Sequence, residues 1–380
     1  MRRLAILGAS ARAAAFSAMR AGYEVVTCDL FADADLRACG VEAHQVESYP
    51  EGFLGWLSRE RFQGWLYTGG LENYPTLVER MASQCDLLGM SGKILREVRS
   101  PLKLSRWLGD HFPETQTTPK GLPTDGSWLV KSYRGAGGSG VRSLTESELD
   151  STAKSPKRYY QRRVEGLPAS AVFVGDGEQT VLLGISEQLV GEAWTGASPF
   201  DYCGSIAGIN LPEAVRRAIK QIGQKLTARF QLQGLFGIDF MIDDTQVWVL
   251  EVNPRWTASV ELIEQTYRFN AIEYHLAACL EGKLPKPPAI ESFGRILGKA
   301  IVFASQPATA SKKFTSDCLA QRGSLDSPEL ADIPNFGTSL EQGNPVCTVF
   351  ASGVDRETVV NQLREKTNAV LDKLSDPTHA

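Results

Sequence analysis

The sequence predicts an α/β chain, α+β in its later parts, with a Rossmann-like parallel sheet at its N-terminus. Three observations carry that prediction. Residues 1–29 read strand, glycine turn, helix, strand. A third apolar run, Gly64 to Thr68, ends in a second glycine turn at Gly69-Gly70. Farther on, the apolar runs Leu235–Ile242 and Val247–Asn253 flank a short polar turn, the mark of an antiparallel hairpin.

The elements follow in order. Leu4–Leu7 is a short apolar run suited to a strand buried on both faces. Ala11 to Ala21 is rich in strong helix formers, Gly22 stops that helix, and Tyr23–Cys28 is the next strand, completing a βαβ unit. Arg2 and Arg3 precede the first apolar run as in a signal peptide, but the run is short and Arg12 interrupts it. No stretch reaches transmembrane length, so the expectation is a cytoplasmic protein without a membrane partner. Ser100-Pro101 opens a second segment with a helix over 101–109. Strands are expected at Trp128–Lys131, Tyr159–Arg162, Ala169–Val174 and Val181–Ser186. Pro212 starts a helix to residue 230, with Val215, Ile219, Ile222 and Leu226 on one face. A further helix is expected near 259–281. Pro285 to Pro288 marks a linker, 294–353 reads as mainly β, and 355–374 as a closing helix. The expected domains are 1–99, 100–288 and 289–380, with a lid subdomain at about 115–185.

Composition narrows the function classes. A net charge of −4 with no dense basic run gives no electrostatic case for nucleic acid. Seven scattered cysteines without a CxxC pair, and four dispersed histidines, fit reduced thiols rather than a disulfide framework or a zinc site. The Gly8-Ala9-Ser10 turn lacks the full dinucleotide fingerprint, because position 10 is Ser and position 13 is Ala. Asp29, about twenty residues on, keeps an NAD(P)-dependent oxidoreductase as a rival reading.

Two constellations carry chemistry. After Lys131 comes a loop containing Gly135, Gly137, Gly138, Ser139 and Gly140. Glycines let backbone N–H groups approach phosphate oxygens without obstruction by Cβ. No G-K-[ST] follows, and Val141–Leu144 reads as a strand, so the loop joins two antiparallel strands as a lid; the bland alternative is a plain hairpin loop. The second constellation is the hairpin carrying Asp239, Glu251, Asn253 and Arg255. Glu251 and Asn253 share a strand face. Asp239 joins them only if it lies opposite Glu251, which requires an odd loop or a bulge. Two carboxylates and an amide oxygen would suit Mg²⁺. A structural Glu251–Arg255 pair is the alternative.

The order of these features, Lys103, Lys131 with its glycine loop, a strand near 160, then Gly-x-Asp-Phe and Glu-x-Asn-Pro-Arg, resembles the ATP-grasp superfamily over residues 1–285. It is similar to the carboxylate–amine ligase and carbamoyl-phosphate-synthase-like branch. The resemblance implies an N-terminal Rossmann-like domain, a two-subdomain ATP-grasp fold and a small C-terminal β-rich region. It implies ATP and Mg²⁺ (or Mn²⁺) as cofactors, and carboxylate and amine substrates. Lys103, Lys131 and residues 135–140 would contact or cover the phosphates. Gln161, Arg163 and Val164 would line the adenine, with Glu165 standing in for the ribose acid where this chain has Pro168. Asp239, Glu251 and Asn253 would hold the metal, and Arg255 and Lys131 would serve catalysis.

A narrower resemblance rests on Gly69-Gly70-Leu71-Glu72-Asn73-Tyr74-Pro75 and on the stretch from Ala331 to Ala351. Both are similar to ATP-grasp proteins of tetrahydromethanopterin- and methanofuran-linked one-carbon metabolism. This implies amide formation with glutamate or another amino acid in coenzyme biosynthesis, with Gly69, Gly70, Glu72 and Asn73 near the substrate at the carboxyl end of a parallel strand. A non-catalytic or partner-dependent ATP sensor is the other rival. A homodimer is the base-rate expectation for the assembly.

Overall fold

The computed structural model describes residues 3–149, 157–243, 246–288 and 294–375. Strands β1 (Arg3–Leu7), β2 (Glu24–Asp29), β3 (Glu42–Gln45) and β4 (Gly64–Tyr67) form a parallel sheet in the order β3-β2-β1-β4. β1 and β4 are buried almost throughout, as all-parallel strands covered on both faces must be. The helix between β1 and β2 runs Arg12–Arg20.

A small antiparallel sheet follows, from β5 (Thr115–Gln116), β6 (Trp128–Ser132), β7 (Arg142–Ser143) and β8 (Arg158–Arg162), ordered β5-β8-β6-β7. Leu129 pairs with Ser143 and Val130 with Arg142, so the glycine-rich loop does connect antiparallel strands. This sheet has its own small core of Leu122, Trp128, Val130, Leu144 and Tyr160. It is narrower than the expected lid range. β9 (Leu167–Asp176) and β10 (Thr180–Val190) pair with each other and with the main sheet instead, because their long apolar runs are buried there.

The main sheet has eight strands. β11 (Tyr202–Ala207), β12 (Gln233–Asp243), β13 (Gln246–Asn253), β14 (Ile296–Phe303), β16 (Leu330–Ala331) and β18 (Pro345–Gly353) join β9 and β10 in the order β13-β12-β9-β10-β11-β14-β18-β16. The C-terminal strands therefore extend the central sheet: β14 pairs with β11, and β18 with β14. β15 (Ala308–Thr309) and β17 (Ser339–Leu340) form a separate ribbon. The helix expected near 259–281 is two helices, Ala258–Tyr267 and Ala271–Glu281. The break falls at Arg268, whose φ is 54°, and Asn270 caps the second helix by accepting the Glu273 N–H at 2.9 Å. One core cluster runs from Trp65 and Tyr67 of the N-terminal sheet to Phe173, Phe236 and Phe240 of the main sheet. All seven cysteines are free thiols. No helix among the described residues is long and apolar enough to cross a membrane.

Candidate active site

A cavity of about 530 Å³ lies between the small sheet and the β12–β13 hairpin. One wall is Lys131, Gly135, Gly137, Gly138, Ser139 and Tyr159; the floor includes Asp239, Glu251, Asn253 and Arg255. The hairpin register places Asp239 directly opposite Glu251, and a bulge between Asp239 and Phe240 allows this. Without that extra residue the side-chain alternation would send the two carboxylates to opposite faces. Asn253 donates from Nδ2 to Asp239 Oδ2 at 2.9 Å and to Glu251 Oε1 at 3.3 Å. Gln188 donates to Asp239 Oδ1 at 3.0 Å.

Three cations answer these acids, and one of them is unexpected. Arg99 donates from Nη1 to Glu251 Oε2 at 3.0 Å and from Nη2 to the Gly135 carbonyl at 3.0 Å and Asn73 Oδ1 at 3.3 Å. Lys131 donates to Gln161 Oε1 at 3.0 Å. Arg255 donates from Nη2 to Asn253 Oδ1 at 3.3 Å and from Nε to Glu72 Oε1 at 2.8 Å. The electrostatics split the carboxylate pair. Burial alone would raise Glu251, but Arg99 and then Lys131 outweigh it and bring its carboxyl to about 2. Burial and the neighbouring Glu251 push Asp239 up to about 7. The Glu251 side chain is still 34% exposed, where it lines the cavity.

Lys103 is a correction. Its ammonium pairs with Glu97 on the surface and does not line the cavity. The helix begins at Pro101, so Lys103 turns outward, while Arg99 just before the helix turns in. The signal for Arg99 in the sequence was its place at the domain junction, immediately before Ser100-Pro101. Gln161 is also displaced: buried at 1% exposure, it supports Lys131 from behind and donates to Thr115 Oγ1. Arg163, Val164, Glu165 and Pro168 line the cavity; Gly140 stands at the end of the loop, outside the lining.

The glycine loop is fastened on both sides. Tyr202 N–H donates to the Gly137 carbonyl at 2.9 Å. Gly138 has φ 86°, and a Cβ there would lie 1.8 Å from the Phe200 carbonyl oxygen, so only glycine fits. Arg134 stacks over the Tyr74 ring at 5.5 Å.

The Gly69–Asn73 turn meets the site through the two arginines rather than by lining the cavity. Glu72 is fully buried and pairs with Arg255, and Asn73 accepts from Arg99. Gly69 faces the Arg255 guanidinium, where a Cβ would lie 3.6 Å from Cζ; Gly70 packs against the Tyr49 hydroxyl. The turn at Gly8 is held by hydrogen bonds within its own loop and to Gly69. Ala9 N–H donates to the Gly69 carbonyl at 2.7 Å, and Asp29 takes the N–H groups of Ala11, Phe31 and Ala32. Asp29 thus serves its own loop, accepting through both carboxylate oxygens.

Among the described residues there is no group of three or more His, Cys, Asp or Glu side chains placed to hold a metal. The oxygen set here is two carboxylates and one amide, which suits a hard cation that keeps water and phosphate ligands.

Residues 99–259 match the model of the ATP-grasp domain. An uncharacterised protein of Methanocaldococcus jannaschii is 22% identical over 95% of this chain and 91% of its own length. The carbamoyl phosphate synthase large chain of Thermoplasma volcanium is 32% identical over 114 residues, which is 30% of this chain and 11% of that protein. Among solved structures, the L-amino acid ligase of Bacillus licheniformis superposes with a TM-score of 0.68 at 17% identity, covering 98% of both chains. That likeness extends the shared fold to the N- and C-terminal regions.

Proposed function

We propose that the chain is a Mg-ATP-dependent (or Mn-ATP-dependent) ligase that activates a carboxylate as an acyl phosphate and couples it to an amine. The observation that carries this reading is the bulged hairpin. It sets Asp239 opposite Glu251, beside Asn253, in a cavity rimmed by Arg99, Lys131 and Arg255. In the reaction, a carboxylate oxygen bonds to the γ-phosphorus as the bond to ADP breaks; the amine then attacks the acyl carbon and phosphate leaves. Asp239, Glu251 and Asn253 would hold the divalent cation, whose contribution is to offset phosphate charge. Asn253 now turns its Nδ2 toward both acids, so ligation by its oxygen takes the opposite amide orientation.

The chain's own groups do the rest. Lys131 and Arg99 put positive charge beside the phosphate end, and Arg255 offers a planar fork to the transferring group. The Gly135–Ser139 loop covers the cavity and keeps water from the activated acid. Gly69, Gly70, Glu72 and Asn73 stand at the substrate end, behind Arg255 and Arg99. An amino acid, glutamate among them, joined in coenzyme synthesis is the finer part of this reading. It rests on the resemblance of residues 69–75 and 331–351, of which only the first stretch reaches the site.

The test is an ADP-release assay with Mg-ATP and a panel of carboxylate–amine pairs, run beside Glu251→Ala. Turnover with one pair only, lost in the variant, supports the ligase and names its substrates. Tight ATP binding without turnover for any pair favours the sensor reading, and absence of ATP binding ends both.

A further inference from the structure

A buried charge knot lies outside the cavity, where the N-terminal domain, the Ala258–Tyr267 helix and the C-terminal segment meet. Its centre is Arg12, the first residue of the Arg12–Arg20 helix, with 1% of its surface exposed. Its guanidinium grips Glu261 with both terminal nitrogens, the longer contact being Nη2–Oε2 at 3.1 Å. It also holds Asp332, through Nε at 3.0 Å and Nη2 at 3.1 Å. Lys299 of β14 reaches Glu261 at 3.3 Å, and Thr348 of β18 donates to Asp332 at 2.6 Å. Asp35 accepts the backbone N–H groups of Asp332 and Ile333, each at 3.1 Å, and Ala34 N–H donates to the Ile333 carbonyl at 2.8 Å. Asp332 keeps a left-handed φ of 54° in this pose.

Such a knot is poor value as a stabiliser, because removing five ionisable groups from water costs about as much as their attraction returns. Its placement suggests another role. Glu261 is in the first turn of the helix that begins at Ala258, directly after Asn253, Arg255 and the N-cap Thr257. The N-terminal domain grips this strand-to-helix segment at three successive points: Glu72 on Arg255, Arg12 on Glu261, and Ser17 with Arg20 on Glu264. The C-terminal segment then fixes Arg12 from the opposite side.

We propose that Arg12 is a positioning residue: through Glu261 it sets the turn 253–257, and so the aim of Arg255 and Asn253, while Asp332 keeps Arg12 in that pose. The inference rests on the ligase reading for its kinetic consequence, but its structural consequence stands separately.

The experiment uses the full chain with Arg12→Lys, which keeps the charge but cannot fork between Glu261 and Asp332, and with Asp332→Asn, which keeps the shape. Val359→Ala, an apolar C-terminal core residue outside the ion-pair network, is the control for general destabilisation. Amide hydrogen exchange over 253–264 should quicken in both test variants and stay unchanged in the control. With the carboxylate–amine pair identified, kcat should fall by about 10- to 100-fold, as for a catalytic group displaced from its geometry, with KM for ATP moved less than about twofold. If one variant fails to fold, the other carries the test. Unchanged exchange over 253–264, or losses no larger than those of Val359→Ala, overturns the proposal. Quickened exchange in a protein that turns over no pair leaves the positioning role standing and counts against the ligase reading alone.

Discussion

Acid should loosen the seam between the N-terminal domain and the main sheet through one imidazole. His275, on the Ala271–Glu281 helix, is buried. Its Nδ1 accepts the Leu235 N–H at 2.8 Å, so the ring proton sits on Nε2, which donates to the Leu88 carbonyl at 2.9 Å. A proton on Nδ1 would confront the Leu235 N–H donor with a second donor. Burial brings the pKa from the ordinary 6.5 to about 4, and the bond to Leu88 offsets this only in part. The unfolded chain therefore binds a proton that the folded chain refuses. The stabilisation is complete above pH 6.5 and is lost as pH falls from 6.5 through about 4. That interval corresponds to about 3 kcal/mol, most of it lost by pH 4.5. Urea unfolding of wild type and His275→Gln at pH 7.5 and 4.5 measures it, with other acid-sensitive groups common to both proteins. Wild type should lose about 2 to 3 kcal/mol more than the variant over that interval. Equal losses would refute the argument.

Two further outcomes follow from the site. Arg99→Ala should lower ADP release by at least about 100-fold, because it strips Glu251 and the Gly135 carbonyl of their shared cation, whereas Lys103→Ala should stay within about twofold. Steady-state kinetics with the identified substrates would show it, and equal effects would restore Lys103 to the site. Gly138→Ala should weaken Mg-ATP binding by about tenfold, since the left-handed backbone alone costs about 1–2 kcal/mol and the new Cβ collides with the Phe200 carbonyl. Calorimetric titration would read this, and an unchanged affinity would mean that the loop does not close over ATP.

Much of this protein was legible along the chain. The first βαβ unit, the lid hairpin, and the alternation that puts Glu251 and Asn253 on one face are local properties, set by apolar periodicity and glycine placement. Tertiary structure decided the rest. Whether Asp239 faces Glu251 depended on a bulge, and backbone hydrogen bonds across two strands set that register. Arg99 and Lys103 are four positions apart and alike in charge, but Lys103 lies within the Pro101–Leu108 helix and Arg99 before it, and only the docked tertiary structure turned one inward and the other to solvent. Glu72 with Arg255, and Arg12 with Glu261 and Asp332, join residues 183, 249 and 320 positions apart. No periodicity spans such separations, because these pairings arise when desolvated charges seek partners as three regions of the chain pack together.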